Sequence, residues 1–515
     1  MKIKSVCIVG GGSSGWMTAA ALSVTLPHLK VSLIESPNIK TIGVGESTLG
    51  HINVFLEILN MKDEDWMKEC DATYKVSIQF DNFYKKGTSY QYPFGDMDMD
   101  ALEWHLMSAI SPETFPPETY SRYVNPTTYL AEFNKITENV SGLVAGFDFK
   151  YHTAYHMDAE KFGAWLKNNK CQNVSCYYDT ITSCEYKEDG SISKLIGESG
   201  EYESDLYIDC TGFKSLLLEK FMGNEFISYN DHLLNDSAIA ARIPYKDKEI
   251  QMKNTTACTA IENGWVWNIP LWSRMGTGYA YSSKFVDDET AKKEFVNHLV
   301  AKGFIDEGEE VETFKINIRH GKRKKCWDRN VVGVGLAYGF LEPLESTGLL
   351  TTHENIMYII DVLQKTDCDP RSFDLSALNR AADYDIDGWM EFIFLHYSAS
   401  AREDTEYWRY VTNLDLYDHD KLVAKEVLSP RQYIECIHAY ARRETTQGLA
   451  GNAYVMAGSK KSVYSKSSAQ QHVNKYNIDL QVYHENYLKK DKRLRNTVAS
   501  MQSHYEFLRD TIYAE

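Results

Sequence analysis

A chain of 515 residues is too long for one ordinary core, and at roughly 100–200 residues per domain it suggests about three units. Hydrophobic residues make up 43% and charged residues 25%, which excludes a disordered or fibrous chain. The 72 acidic against 55 basic side chains give a net charge of −17, and such a surface repels phosphate backbones and anionic lipid, so neither nucleic acid nor a membrane is expected as the main partner.

Ten cysteines form no CxxC pair and no zinc-like spacing with histidine, so no metal site is expected, and they read as reduced, mostly buried thiols of a cytoplasmic protein. From Ser5 to Leu29 there is no Asp, Glu, Lys or Arg, which imitates a signal peptide or membrane span. The glycines and serines at 10–15 argue against both, and no other stretch approaches ~20 apolar residues.

In chain order, residues 3–9 (IKSVCIV) predict a strand, residues 16–26 a helix and residues 30–35 (KVSLIE) a second strand, a βαβ unit with a parallel sheet. Residues 75–83 alternate: Val76, Ile78 and Phe80 on one face, Lys75, Ser77, Gln79 and Asp81 on the other, as in a half-buried strand. Residues 174–210 predict a small β-meander and 255–285 further strands. From about 350 the pattern is mainly helical. The fold class is therefore α/β: a Rossmann-like dinucleotide-binding domain over 1–350 with interleaved sheet segments, then a mainly helical substrate-binding region over 351–515.

Between the first strand and helix lies Gly10-Gly11-Gly12-Ser13-Ser14-Gly15, a GxGxxG fingerprint. Gly10 permits the tight turn, Gly12 lets backbone approach a pyrophosphate, and Gly15 lets helix and strand pack closely. Glu35, twenty residues past Gly15, is placed to accept hydrogen bonds from ribose hydroxyls. Two further glycine segments, Gly43–Thr48 (GVGEST) and Val332–Gly339, favour FAD over NAD, because late glycine strands of this kind carry the flavin end of an FAD domain. Candidate cofactor residues are Gly10, Gly12, Ser13, Ser14, Gly15, Glu35, Gly45, Glu46, Ser47, Gly335 and Gly348. Trp265 and Trp267 alternate on a predicted strand and so share a face.

Five motifs in order, GGGSSGW at 10–16, GVGEST at 43–48, the lysine strand at 75–83, GWVWNIP at 264–270 and EPLESTG at 342–348, resemble the flavin-dependent tryptophan halogenases. YHMDAEKF at 155–162 and DCTGF at 209–213 add to the resemblance, which runs to about residue 410 and marks an unusual member. It implies a GR2-type FAD domain with box-and-pyramid-like architecture. It also implies an enzyme that uses reduced FAD (FADH2), O2 and chloride, bromide or iodide to make hypohalous acid, which then halogenates an aromatic substrate elsewhere in the protein. A separate flavin reductase is the expected partner, and a homo-oligomer is allowed for.

By the same resemblance Lys75 is the catalytic lysine and Glu345 the catalytic glutamate, with Glu342 a competing acid. Thr347 and Gly348 match the halide site, Ser346 is a candidate link from the halide to the Lys–Glu site, and Trp265 and Trp267 obstruct without taking a proton. On pattern alone Lys75 is a solvated surface lysine. The alternative activity is an FAD-dependent aromatic hydroxylase, disfavoured by Gly335-Leu336 where such enzymes carry Gly-Asp. Tryptophan-specific members carry a His-x-Phe element where this chain has Tyr92-Pro93-Phe94. Tyr92, Phe94 and Trp408 are therefore the candidate substrate residues, and an indole- or phenol-type arene is as well supported as free tryptophan.

Overall fold

The computed structural model describes residues 2–39, 45–97, 102–414, 449–459 and 464–514. Gly43 and Val44 of the second glycine loop, and Cys436, lie outside the described residues.

The chain forms two compact units instead of about three, and neither divides at residue 350. The first is built from 1–72, 155–233 and 317–390, the second from 73–154, 234–316 and 391–515. The reason is sheet pairing. Strands far apart in sequence complete the same sheet, so each unit draws on three stretches of chain.

The first unit carries a six-stranded sheet in the order Trp327–Asp328, Val331–Gly333, Leu206–Asp209, Ser5–Val9, Lys30–Glu35, Ser175–Tyr178. All pairings are parallel except the edge pair Trp327–Asp328 with Val331–Gly333. Ser5–Val9 sits between two parallel neighbours and is buried on both faces, which accounts for its nearly continuous apolar run. The predicted β-meander is divided. Its centre, Ile181–Tyr186, Ile192–Gly197 and Glu201–Glu203, is an antiparallel sheet, while its first and last strands join the parallel sheet. Cys7, Val9, Ile34, Leu217 and Leu218 belong to one core cluster there.

The second unit carries a seven-stranded sheet: Thr313–Asn317, Ser237–Pro244, Arg274–Tyr281, Gly264–Pro270, Thr255–Ala260, Ser77–Asp81, Ser89–Pro93. The helix Asp288–Ala301 adds Ala291, Phe295 and Leu299 to a cluster with Ile239, Val266 and Tyr279. The lysine segment is two strands, Thr73–Lys75 and Ser77–Asp81. After residue 346 the described structure is helical, including Thr347–Lys365, Ser372–Ser398 and Leu480–Ala499. Among the described residues no helix is long and apolar enough to cross a membrane, and no cluster of side chains could hold a metal ion. None of the nine described cysteines is in a disulfide, and seven of them are buried.

Candidate active site

The nucleotide cradle lies in the first unit, where the strand Ser5–Val9 ends and the helix Ser13–Thr25 begins. Gly10 has φ +116°, and a Cβ there would fall 2.2 Å from the Cys210 carbonyl oxygen, so only glycine fits. A Cβ on Gly15 would fall 1.9 Å from the Gly10 oxygen. At Gly12, by contrast, a Cβ would meet nothing within 4 Å. The first two glycines are required by the fold, whereas Gly12 leaves open the face a pyrophosphate would approach, at the N-terminal end of a helix whose dipole favours anions.

Two features of this cradle escape the motif. A Cβ on Gly11 would lie 2.5 Å from the Glu35 side chain, so any larger residue there would have to displace the acid. Lys167 donates to Glu35 Oε2 at 3.2 Å and to the Tyr178 hydroxyl at 3.0 Å. Glu35 is thus already paired, and no local signal in the sequence links it to Lys167.

The late glycine segment returns to the same place. Gly335 has φ +62°, and a Cβ there would lie 3.1 Å from Ser14 Cβ and 3.2 Å from Thr352 Oγ1. The DCTGF motif proves to be a brace: buried Asp209 accepts the Thr211 N–H and hydroxyl through one oxygen and the Leu217 and Leu218 N–H groups through the other.

EPLESTG forms a 3-10 turn, Pro343–Glu345, and a left-handed Ser346 with φ 59°, from which the helix Thr347–Lys365 starts. Ser346 Oγ donates to Ser47 Oγ at 3.0 Å, tying this turn to the second glycine loop. Glu46 Oε2 is 3.6 Å from where a Gly348 Cβ would be. Glu46 keeps part of its surface accessible. Its carboxyl is nonetheless packed deeply enough that burial pushes its pKa up to about 7. Glu342, Glu345, Ser346 and Thr347 are buried. The Thr347 hydroxyl donates to the Glu342 carbonyl at 3.4 Å, and Thr352 donates to the Gly348 carbonyl at 2.9 Å. The Thr347 and Gly348 N–H groups occupy the first turn of a long helix, where backbone donors attract anions.

Lys75 belongs to the second unit, and its side chain is completely buried. The surface-lysine expectation from strand alternation is therefore corrected: Lys75 and Ser77 are as inaccessible as Val76 and Ile78 because protein covers both faces here. The Lys75 ammonium stands 5.1 Å from the Phe94 ring centroid, a cation–π arrangement. Phe94 meets Tyr92 edge-on at 6.0 Å, and Tyr92 in turn meets Tyr454 at 5.4 Å and Phe392 at 6.4 Å. The lysine thus stands beside a cluster of aromatic rings.

Trp265 and Trp267 are both buried, with centroids 6.0 Å apart, as their spacing predicts. Trp408 is different. It is buried, its indole N–H donates to the Ile261 carbonyl at 2.7 Å, and the Arg402 guanidinium lies 4.4 Å from its ring. Trp408 is therefore held in the packing of the second unit by these two contacts.

A cleft of ≈ 710 Å³ opens on the Gln79–Gln91 side of the strand pair. Its rim holds Glu118, Lys253 and the Arg122–Glu132 ion pair at 2.6 Å. Ile78 and Tyr92 pair on the opposite side. The lining of this cleft is thus largely polar and charged.

The cradle, the late glycine turn beside it and the paired acid define an α/β protein of the dinucleotide-binding class. Residues 5–464 match the Tryptophan halogenase family, and the chain belongs to that family. It is 34% identical over 431 residues to the 7-chloro-L-tryptophan 6-halogenase KtzR of Kutzneria sp. (strain 744), covering 78% of this chain and 80% of that one. Among solved structures, the VirX1 apo structure superposes with a TM-score of 0.90 at 42% identity, covering 100% of this chain and 99% of that one. Tar14, a tryptophan C-6 flavin-dependent halogenase (chlorinase) from taromycin biosynthesis, gives 0.84 at 28% identity, covering 99% of this chain and 100% of that one. The protein is accordingly an enzyme of the flavin-dependent halogenase class.

Proposed function

We propose that this enzyme halogenates an electron-rich arene of indole or phenol type, using reduced FAD, O2 and a halide. The observation that carries this reading is the fully buried Lys75 with its ammonium over Phe94, beside the Tyr92 ring. Burying an ammonium is costly, and catalytic sites are one place where folds retain such a group.

The residues of the cradle suit the cofactor: the Gly12 face is open, the Glu35 carboxylate stands beside Gly11, and Gly335 and Ser14 lie side by side. Bound there, reduced FAD supplies the activation of O2 that turns halide into hypohalous acid. The Thr347 and Gly348 N–H groups hold the halide, and Ser346 steadies their turn through Ser47. Lys75 donates a hydrogen bond to the hypohalous oxygen, so the halogen becomes electrophilic. The ring carbon bonds to halogen, the O–halogen bond breaks, and the oxygen leaves as water with a proton from Lys75. Glu345 takes the proton that the ring carbon loses. Tyr92 and Phe94 hold the arene, and Tyr92 replaces an imidazole with a phenol, which favours substrates other than free tryptophan. A separate flavin reductase supplies the reduced cofactor.

The test is turnover with FAD, a reductase, each halide and a panel of indoles, phenols and free tryptophan, read by mass spectrometry. Halogenated product supports the reading. Hydroxylated product, or flavin oxidation with no modified arene and no trapped oxidant, refutes it.

A further inference from the structure

The backbone around Lys75 is held by hydrogen bonds, one of them from the far end of the chain. The Tyr74 N–H, immediately before the lysine, donates to His504 Nε2 at 3.2 Å. The Val76 N–H, immediately after it, donates to the Asn254 carbonyl at 2.9 Å. Two residues before the lysine, the Thr73 hydroxyl donates to the Pro270 carbonyl at 2.6 Å. The residues on both sides of Lys75 are thus held by segments remote from them in sequence.

These anchors are themselves joined. Asn134, in a left-handed conformation with φ 51°, accepts the His504 N–H on its backbone carbonyl at 2.9 Å and the Asn254 N–H on its side-chain oxygen at 2.9 Å. Asn254 donates from its side chain to the Leu130 and Lys135 carbonyls at 3.0 and 2.7 Å. His504 begins the helix His504–Thr511. That start is fixed by a capping box in which Ser503 Oγ accepts the Glu506 N–H at 3.1 Å and Glu506 accepts the Ser503 N–H at 2.8 Å. Phe507 of the same helix meets the Tyr74 ring edge-on at 5.9 Å.

Because the partner at Nε2 is a peptide N–H, that nitrogen must carry its lone pair, so the imidazole is neutral with its proton on Nδ1. Burial supports this state, pushing the His504 pKa down to about 3, against the smaller opposing pull of the Met252 carbonyl. The ring is completely buried, so no water can take its place as the acceptor.

We infer that His504 is a positioning residue for Lys75: its neutral Nε2, held by the last helix and the Asn134 hub, sets where the lysine ammonium stands relative to the arene. This rests on the halogenase reading above. A lysine displaced by a fraction of an ångström still lets hypohalous acid form but no longer directs it at the ring.

The experiment measures three quantities in one mixture: flavin reoxidation, hypohalous acid trapped in solution, and halogenated product. His504→Phe keeps an aromatic ring in the space but removes the Nε2 acceptor together with the Nδ1–H donor, and His504→Gln restores an acceptor and a donor of similar reach. The expected result is unchanged flavin reoxidation in both, with the ratio of product to trapped oxidant falling ~10-fold or more in His504→Phe and recovering in His504→Gln. A wild-type ratio in folded His504→Phe, or equal ratios in the two variants, overturns the inference. If His504→Phe does not fold, the shorter acceptor of His504→Asn carries the test: a lowered ratio supports positioning and a wild-type ratio overturns it. Failure of the underlying reading looks different, since the wild-type enzyme itself would then give neither product nor trapped oxidant.

Discussion

Alanine at Gly12 and alanine at Gly15 should separate cofactor binding from folding, although the two glycines are three positions apart in one motif. At Gly15 the new Cβ would stand 1.9 Å from the Gly10 oxygen, about 1.5 Å short of the 3.4 Å at which ordinary contact begins. The opposing atom is backbone, so helix and strand must part. Overpacking of this kind costs ~1–3 kcal/mol or more, out of the ~5–15 kcal/mol that holds a typical fold. At Gly12 the backbone angles are φ −77° and ψ −175°, which alanine adopts without strain. Alanine is the poorer N-cap, by up to ~1 kcal/mol, but its stiffer unfolded chain returns ~0.4–1 kcal/mol. Stability should therefore change by less than about 1 kcal/mol. The methyl nevertheless occupies the face the pyrophosphate must approach, and losing one charge-assisted hydrogen bond costs ~1.5–3 kcal/mol, or ~10–100-fold in affinity. Thermal unfolding and a fluorescence titration with FAD check both halves. Gly12→Ala binding FAD as tightly as wild type, or Gly15→Ala unfolding at the wild-type temperature, would refute the assignment.

Lys75→Ala should leave flavin reoxidation by O2 nearly intact while halogenated product disappears and hypohalous acid is trapped in solution; collapse of reoxidation itself would move Lys75 to the flavin side. Glu345→Gln keeps the shape, removes the base and should slow product formation by at least ~10²-fold, read as single-turnover rates. Simple indoles and phenols should react faster than free tryptophan, and clean regiospecific halogenation of tryptophan at the higher rate would show the Tyr92 argument to be wrong. Burial holds the His504 pKa at about 3, far below the ~6.5 of an unfolded imidazole, so between these values the unfolded chain binds one more proton. Its contribution to stability is complete above pH ~6.5 and is lost as pH falls toward 3, by ~1.4 kcal/mol per pH unit. Denaturant unfolding across that window should give a slope shallower by about this amount in His504→Gln, and an unchanged slope would mean the ring is not buried neutral.

What the sequence determined by itself is what short-range geometry can encode. A glycine required by a positive φ, as at Gly10, or by contact with its own turn, as at Gly15, is dictated within a few residues. The shared face of Trp265 and Trp267 follows from the two-residue period of a strand. The resemblance carried by GWVWNIP and EPLESTG reached the family directly. Strand period misled at Lys75, because alternation predicts which face a side chain takes but not whether that face is also covered. The pairing of Glu35 with Lys167, the interleaving of three stretches in each unit, and the enclosure of the Trp408 indole by Ile261 and Arg402 were likewise decided only in three dimensions. His504 is the plainest case. It lies 430 residues from the peptide it holds, and nothing local marks a histidine as an acceptor until the fold removes water and presents it with a single N–H.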